Sequence, residues 1–138
     1  MFVNLTTQEI IDANQSCKVL LAKPFLAKTA FKIASLSKKL SIIEQTFNEI
    51  KTDTIKKYGQ KDEKGNIITE TLEDGQIYIP IVPEFQKKCS DEILEALQQR
   101  FDINYSPLAI EDLEDKELTP ETLMNLYHFI INEEEEGY

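Results

Sequence analysis

The sequence predicts an α+β protein that is mostly α: a long helical hairpin-like body, one small β-hairpin and a C-terminal helical subdomain. Three observations lead there. Apolar residues recur at alternating three- and four-residue steps through most of residues 26–58, the period of one helix face. Asp74-Gly75 separates two β-prone runs, a strong short-range hairpin signal. Charge is split along the chain: residues 1–58 carry nine Lys and five acids, a net of +4, and residues 59–138 carry six Lys/Arg and twenty acids, a net of −14. At 138 residues one domain is expected, with 1–59 as a helical arm, 60–132 as hairpin plus helical subdomain, and 133–138 as an acidic tail.

The first helix is expected to begin at Thr6. Thr6 and Glu9 have the Thr-x-x-Glu spacing of a capping box, and Leu5 and Ile10 that of a hydrophobic staple. Ile10, Ile11, Asn14, Cys17, Leu20 and Leu21 then mark one face. Pro24 ends this helix, because the residue before proline is pushed out of the helical region, and opens the next as a first-turn residue. The second helix has the series Leu26, Ala30, Ile33, Leu36, Leu40, Ile43, Phe47, Ile50 and Tyr58, close to the 3.5-residue period of a coiled-coil seam. Such a helix is about 50 Å long at 1.5 Å per residue. The first helix is too short to cover that stripe, so the seam needs the folded-back C-terminal half or another chain. Ile33, Leu40 and Phe47 are expected to be buried. Gly59 suits a left-handed cap.

A polar loop, Gln60 to Asn66, leads into the hairpin, Ile67–Leu72 and Gln76–Ile79 around Glu73-Asp74-Gly75. Ile77, Tyr78, Ile79, Ile81 and Val82 favour a strand, and Pro80 places that strand at an edge. A third helix opens at Pro83, with Phe85, Cys89, Ile93, Leu97 and Phe101 on one stripe. Asp102 to Asp115 reads as irregular or briefly extended. A fourth helix opens at Thr119-Pro120, an N-cap followed by proline, with Leu123, Leu126, Tyr127, Ile130 and Ile131 facing inward. Four successive glutamates, Glu133 to Glu136, repel one another and should fray.

Composition narrows the function. A pI near 4.6 disfavours nucleic acid and anionic membranes as partners and permits a basic protein surface. No stretch approaches the roughly 18 apolar residues of a membrane span. Residues 1–7 lack the basic region and apolar run of a signal peptide, so a reducing, cytosolic site is expected, with Cys17 and Cys89 as buried free thiols. Four glycines supply neither a phosphate loop nor a dinucleotide fingerprint. No Ser has nucleophile-elbow context. His128, the one histidine, reads as a structural or surface residue. Asp62, Glu63 and Asn66 lack the alternation and closing Glu of a calcium loop. No enzyme, cofactor or metal is therefore expected.

The candidate partner-binding residues are Leu40 and Phe47 on the helix seam, Tyr78 on the edge strand, and Glu111, Asp112, Glu114 and Asp115 in the acidic cluster. Seven lysines of the second helix, Lys28 to Lys57, read as solvated surface. Arg100 is the one arginine in the chain, so a nucleic-acid site is poorly supported.

One further pattern lies in the order of short segments. These are residues 24–34, Pro-Phe-Leu-Ala-Lys-Thr-Ala-Phe-Lys-Ile-Ala; then Lys57-Tyr58-Gly59 with Asp62-Glu63 and Gly65-Asn66; a Phe85-led helix; Leu94 to Phe101 running into Asp102-Ile103; and Ile110-Glu111-Asp112-Leu113 through Leu118-Thr119-Pro120-Glu121-Thr122-Leu123-Met124. In that order the chain resembles a family of small proteins, defined as a domain of unknown function, encoded by tailed phages of Gram-positive hosts. The resemblance covers most of the chain from residue 20 and brings no catalytic residues. It implies a phage origin and a small accessory role, in the host cytoplasm during infection or in the virion. The expected function is a virion component or assembly factor acting by contact with a phage or host protein or with its own copies. The rival is a soluble acidic inhibitor of a host enzyme or defence complex.

Overall fold

The computed structural model describes residues 1–131. The described chain is α+β and mostly helical, with short strands. It divides into two compact units: Met1–Gln45 together with the chain from Gln99 onward, and Thr46–Gln98. The expected acidic tail lies outside the described residues.

The first unit opens with a strand the sequence did not suggest, β1 (Phe2–Thr6), followed by α1 (Thr7–Leu21). Two more strands, β4 (Arg100–Asn104) and β5 (Leu108–Ala109), belong to the same unit, whereas β2 (Glu70–Thr71) and β3 (Ile77–Tyr78) belong to the second. β1 pairs antiparallel with β4, Leu5 opposite Phe101 and Val3 opposite Ile103. Leu5 and Ile103 point into the core. On the opposite face Asn4 accepts from the Arg100 guanidinium (2.9 Å) and donates to Asp102 (2.9 Å). This pairing corrects one expectation: the third helix does not reach Phe101, because Arg100–Asn104 is extended against β1. The Asp102–Asp115 stretch is briefly extended, at Asp102–Asn104 and again at Leu108–Ala109.

The cap of α1 forms as the spacing predicts. The Thr6 hydroxyl accepts from the Glu9 N–H (3.2 Å), and the Glu9 carboxylate accepts from the Thr6 N–H (3.0 Å). The Thr6 N–H holds the Glu9 carboxyl below its ordinary pKa of 4.5, with the Thr6 hydroxyl, His128 and Arg100 adding to it against partial desolvation. A depressed folded-state pKa means the contribution is present above the unfolded value and lost as pH falls through the folded one. Thr6→Ala should cost about 0.5–2 kcal/mol at neutral pH in denaturant titrations, and Glu9→Gln should flatten the acid limb of the stability profile below pH 4.5.

α2 (Ala27–Tyr58) is one continuous helix whose first part belongs to this unit. It begins three residues later than expected from Pro24, because Lys23 closes a turn onto Leu20 and Phe25 packs against the core before the helix starts. Its stripe is covered by the chain itself at Ile33, Leu36 and Leu40. Asn14 of α1, fully buried, binds this helix through its side chain: it accepts from the Ser37 hydroxyl (2.9 Å) and donates to Ser41 (3.1 Å) and to the Glu44 carboxylate (2.5 Å). Lys32 and Lys39 donate to the carbonyls of Pro107 and Asn104. Leu26, 83% exposed, falls outside the covered stripe.

α4 (Pro120–Asn125) starts at its predicted Thr119 cap and stops after six residues. A tighter turn, Tyr127–Phe129, follows, then β6 (Ile130–Ile131), parallel to β5. The change of helical pitch moves the inward position from Tyr127, which is exposed, to Phe129, which is fully buried edge-on to Tyr105 at 5.1 Å. Cys17 is also fully buried, and desolvation pushes its thiol up to about 12.

The second unit holds the remainder of α2, the hairpin β2 (Glu70–Thr71) and β3 (Ile77–Tyr78), and α3 (Gln86–Leu97), which follows a single tight turn at Pro83–Phe85. The turn closes as Asp74-Gly75 predicts, with Gly75 at φ +87° and Leu72 N–H donating to Gln76 O (2.7 Å). Tyr58 anchors α3 by its hydroxyl on Glu92 (2.8 Å) and its ring on Phe85. That bond and Lys57 hold the Glu92 carboxyl below its usual range against partial desolvation. Phe47 and Cys89 are buried and Ile50 is exposed.

Gly59 is not a left-handed cap: positive φ occurs at Gly65 and Gly75. It is glycine for room, since a Cβ there would stand 2.5 Å from Ile79 Cγ2 and 3.0 Å from the Ile55 carbonyl oxygen. Gly59→Ala should destabilise by about 1–3 kcal/mol, as overpacking does. Adding Ile79→Ala should recover part of the loss, read as denaturation midpoints.

Candidate functional site

Two surfaces collect the exposed candidates, one in each unit. Leu40 and Phe47 belong to neither. Leu40 is fully buried and Phe47 nearly so; their apolar period records core packing, and neither presents a face to a partner in this fold.

The acidic surface is built on a short helical turn at Ile110–Asp112. Leu113 plugs into the core, and Leu118 packs against it. Those two anchors turn Glu111, Asp112, Glu114 and Asp115 outward, and all four are exposed. Lys116 folds back over the Phe25 ring (5.0 Å) and pairs with Asp115 at 3.3 Å. Among the described residues Glu111, Asp112 and Glu114 have no cation within ion-pair reach. Phe25, Leu26, Thr29, Glu111, Asp112, Asp115 and Lys116 line a notch of about 160 Å³. It is an acidic rim around apolar groups. Among the described residues no three His, Cys, Asp or Glu side chains are placed to hold one metal ion.

The second surface is the edge of β3. The hairpin pairs Glu70 with Tyr78 and Thr71 with Ile77, and the Tyr78 hydroxyl donates to the Glu70 carboxylate, which raises the phenol pKa. Beyond Tyr78 the chain runs on against the end of α2, with an isolated bridge between Ile81 and Gly59: Gln60 N–H donates to Pro80 O (2.8 Å) and Val82 N–H to Tyr58 O (3.0 Å). The Pro80 carbonyl and the Val82 N–H are thus spent inward, on the side where Tyr78 faces Glu70, while the Val82 carbonyl accepts from Phe85 N–H (2.8 Å). Successive residues of a strand point their N–H and C=O to opposite sides, so those of Ile77, Ile79 and Ile81 point outward, and among the described residues none has a backbone partner.

Pro80 marks this edge in an unexpected way. Its missing N–H falls on the inner side, where Gln60 O accepts from Ile68 N–H instead (2.9 Å). The outer side is left without a proline. Ile77, Ile79 and Ile81, with Thr52, Ile55, Thr69 and Tyr78, line an open apolar groove of about 430 Å³. Ile77 is 69% exposed and Tyr78 40%. In the sequence Ile77 and Ile79 fall within the expected edge strand Gln76–Ile79, where Tyr78 is the candidate singled out, and Ile81 is not among the candidates. The signal for these residues is isoleucine at alternate positions 77, 79 and 81, which shows which residues share a side.

His128 stands 3.4 Å from the Glu9 carboxylate, both half exposed, at the capped start of α1. Among the described residues no helix is long and apolar enough to cross a membrane. Comparison of the chain with protein-family models, curated proteins and solved structures finds no match.

Proposed function

We propose that this chain is a non-enzymatic accessory protein of a phage, a virion component or assembly factor that works by protein–protein contact. The observation that carries the contact reading is the β3 edge: three outward N–H and C=O sets at Ile77, Ile79 and Ile81, beside an apolar groove, with no charged side chain from Gln76 to Val82. Unpaired strand edges pair with other strands unless charge, a bulge or proline blocks them, and none of these stands on the outer side here. The phage origin rests on the resemblance of residues 24–34 and the later segments. Mass spectrometry of purified particles tests the role: a fixed stoichiometry supports a virion component, and absence from particles and from assembly intermediates overturns the reading.

A second reading, an acidic inhibitor of a host enzyme or defence complex, draws on Glu111 and Asp112, which line the notch with Leu26, and on Glu114, all three exposed and without a counter-ion among the described residues. A basic partner held there should dissociate as salt shortens the reach of exposed charge to about 8 Å. Reversing Glu114 and Asp115 to Lys should slow its association more than it speeds dissociation. Unaltered binding by that variant removes this reading.

A further inference from the structure

We infer that the β3 edge pairs with the same edge of a second copy, antiparallel about a two-fold axis through Ile79. This rests on the reading of that edge as the contact surface and names its partner. The geometry is self-complementary. With Ile79 opposite itself, Ile77 faces Ile81 of the second copy, and every outward N–H meets an outward C=O, as in the hydrogen-bonded pairs of an antiparallel ladder. Pro80 interrupts nothing, because its nitrogen faces Gln60 in each copy.

The side chains agree with the backbone. Residues opposite one another in an antiparallel pair lie on the same face of the sheet, so Ile81 of the second copy comes beside Ile77, the most exposed of the three. The isoleucines of both copies then extend one apolar surface over the groove that Thr52, Ile55 and Thr69 help to line. A two-fold contact of identical patches brings like charges together, which is repulsive wherever the patch is charged. Here Gln76-Ile77-Tyr78-Ile79-Pro80-Ile81-Val82 carries no charge. An uncharged apolar edge on a chain of net charge −10 suits another uncharged edge better than a strongly basic peptide.

Charge also sets the sign of the salt effect. Two copies of net charge −10 repel at long range, so this contact should tighten as salt rises, the reverse of a contact made through the acidic notch.

The test uses the full chain. Sedimentation equilibrium from about 1 to about 300 μM, at low and high salt, should show a monomer–dimer equilibrium that tightens with salt. Hydrogen exchange at the two ends of that range should show the Ile77, Ile79 and Ile81 amides slowing with concentration while the inward Tyr78 amide does not change. Ile77→Pro removes one outward N–H and no internal bond, and should weaken the dimer about tenfold or more at an unchanged circular-dichroism spectrum. Should that variant not fold, the exchange pattern of the wild type decides by itself. A wild-type monomer throughout at high salt, a dimer whose three isoleucine amides exchange at the monomer's rate, or a folded Ile77→Pro chain that dimerises as tightly would each overturn the pairing. A strict monomer found in particles at fixed stoichiometry would overturn the pairing and leave the accessory role standing.

Discussion

Leu40→Ala is expected to lower the stability of the chain by about 2–5 kcal/mol, the range for deleting a buried leucine side chain without full collapse of its cavity. Leu40 is fully buried on the α2 face that carries Ile33 and Leu36, within the core shared with Ile10, Cys17 and Leu20 of α1. A helix face enclosed by a helix and by strands has little freedom to close a void, which favours the upper part of the range. Guanidinium denaturation followed by circular dichroism reads the loss. The same change at Leu26, 83% exposed, should move the midpoint little. Equal small effects at both positions would mean that the α2 stripe is not the core of this unit.

Asn14→Ala should cost on the order of 3 kcal/mol, for a different reason. Asn14 is fully buried, and its amide is shared between Ser37, Ser41 and Glu44. Truncation leaves the buried Ser37 hydroxyl without its acceptor and Glu44 without a donor, and a polar group stranded away from water costs more than its bond contributes when made. Ser37→Ala removes one of the stranded groups, so the double variant should lose less than the sum of the two single changes. Strict additivity in that cycle would show that Asn14 acts by volume alone.

Both residues sit on the helix faces that periodicity marks, yet their partners were not readable. Asn14 appeared as one more position on the α1 face, and nothing local says that Ser37 meets it across the turn at Lys23–Leu26. The seam of α2 read equally well as core or as an interface. The distinction lies in what covers it, and the core that holds Leu40 also draws in Ile103 and Leu108 from a distant segment. The candidate sites divide along the same line. The exposure of Glu111, Asp112, Glu114 and Asp115 was legible, because unpaired carboxylates are costly to bury. The strand at Tyr78 was legible as an edge, but not as one whose free groups belong to Ile77, Ile79 and Ile81.

What the sequence determined by itself is local. Thr6 with Glu9 starts α1, Thr119-Pro120 starts α4, and Asp74-Gly75 closes the hairpin. Each is decided within four or five residues by a hydrogen bond or an allowed φ, and each stands where the residues place it. Tertiary structure decided whatever needs a remote partner. Phe101 lies on a helical stripe but joins a strand, because β1 pairs with it from the other end of the chain. Tyr127 yields its inward place to Phe129, because Ile130 is extended against Leu108. Gly59 carries no Cβ because Ile79, twenty residues on, occupies that space. A period of apolar residues records which side of an element is dry; the identity of the group that dries it depends on chain closure over many residues, which no local pattern carries.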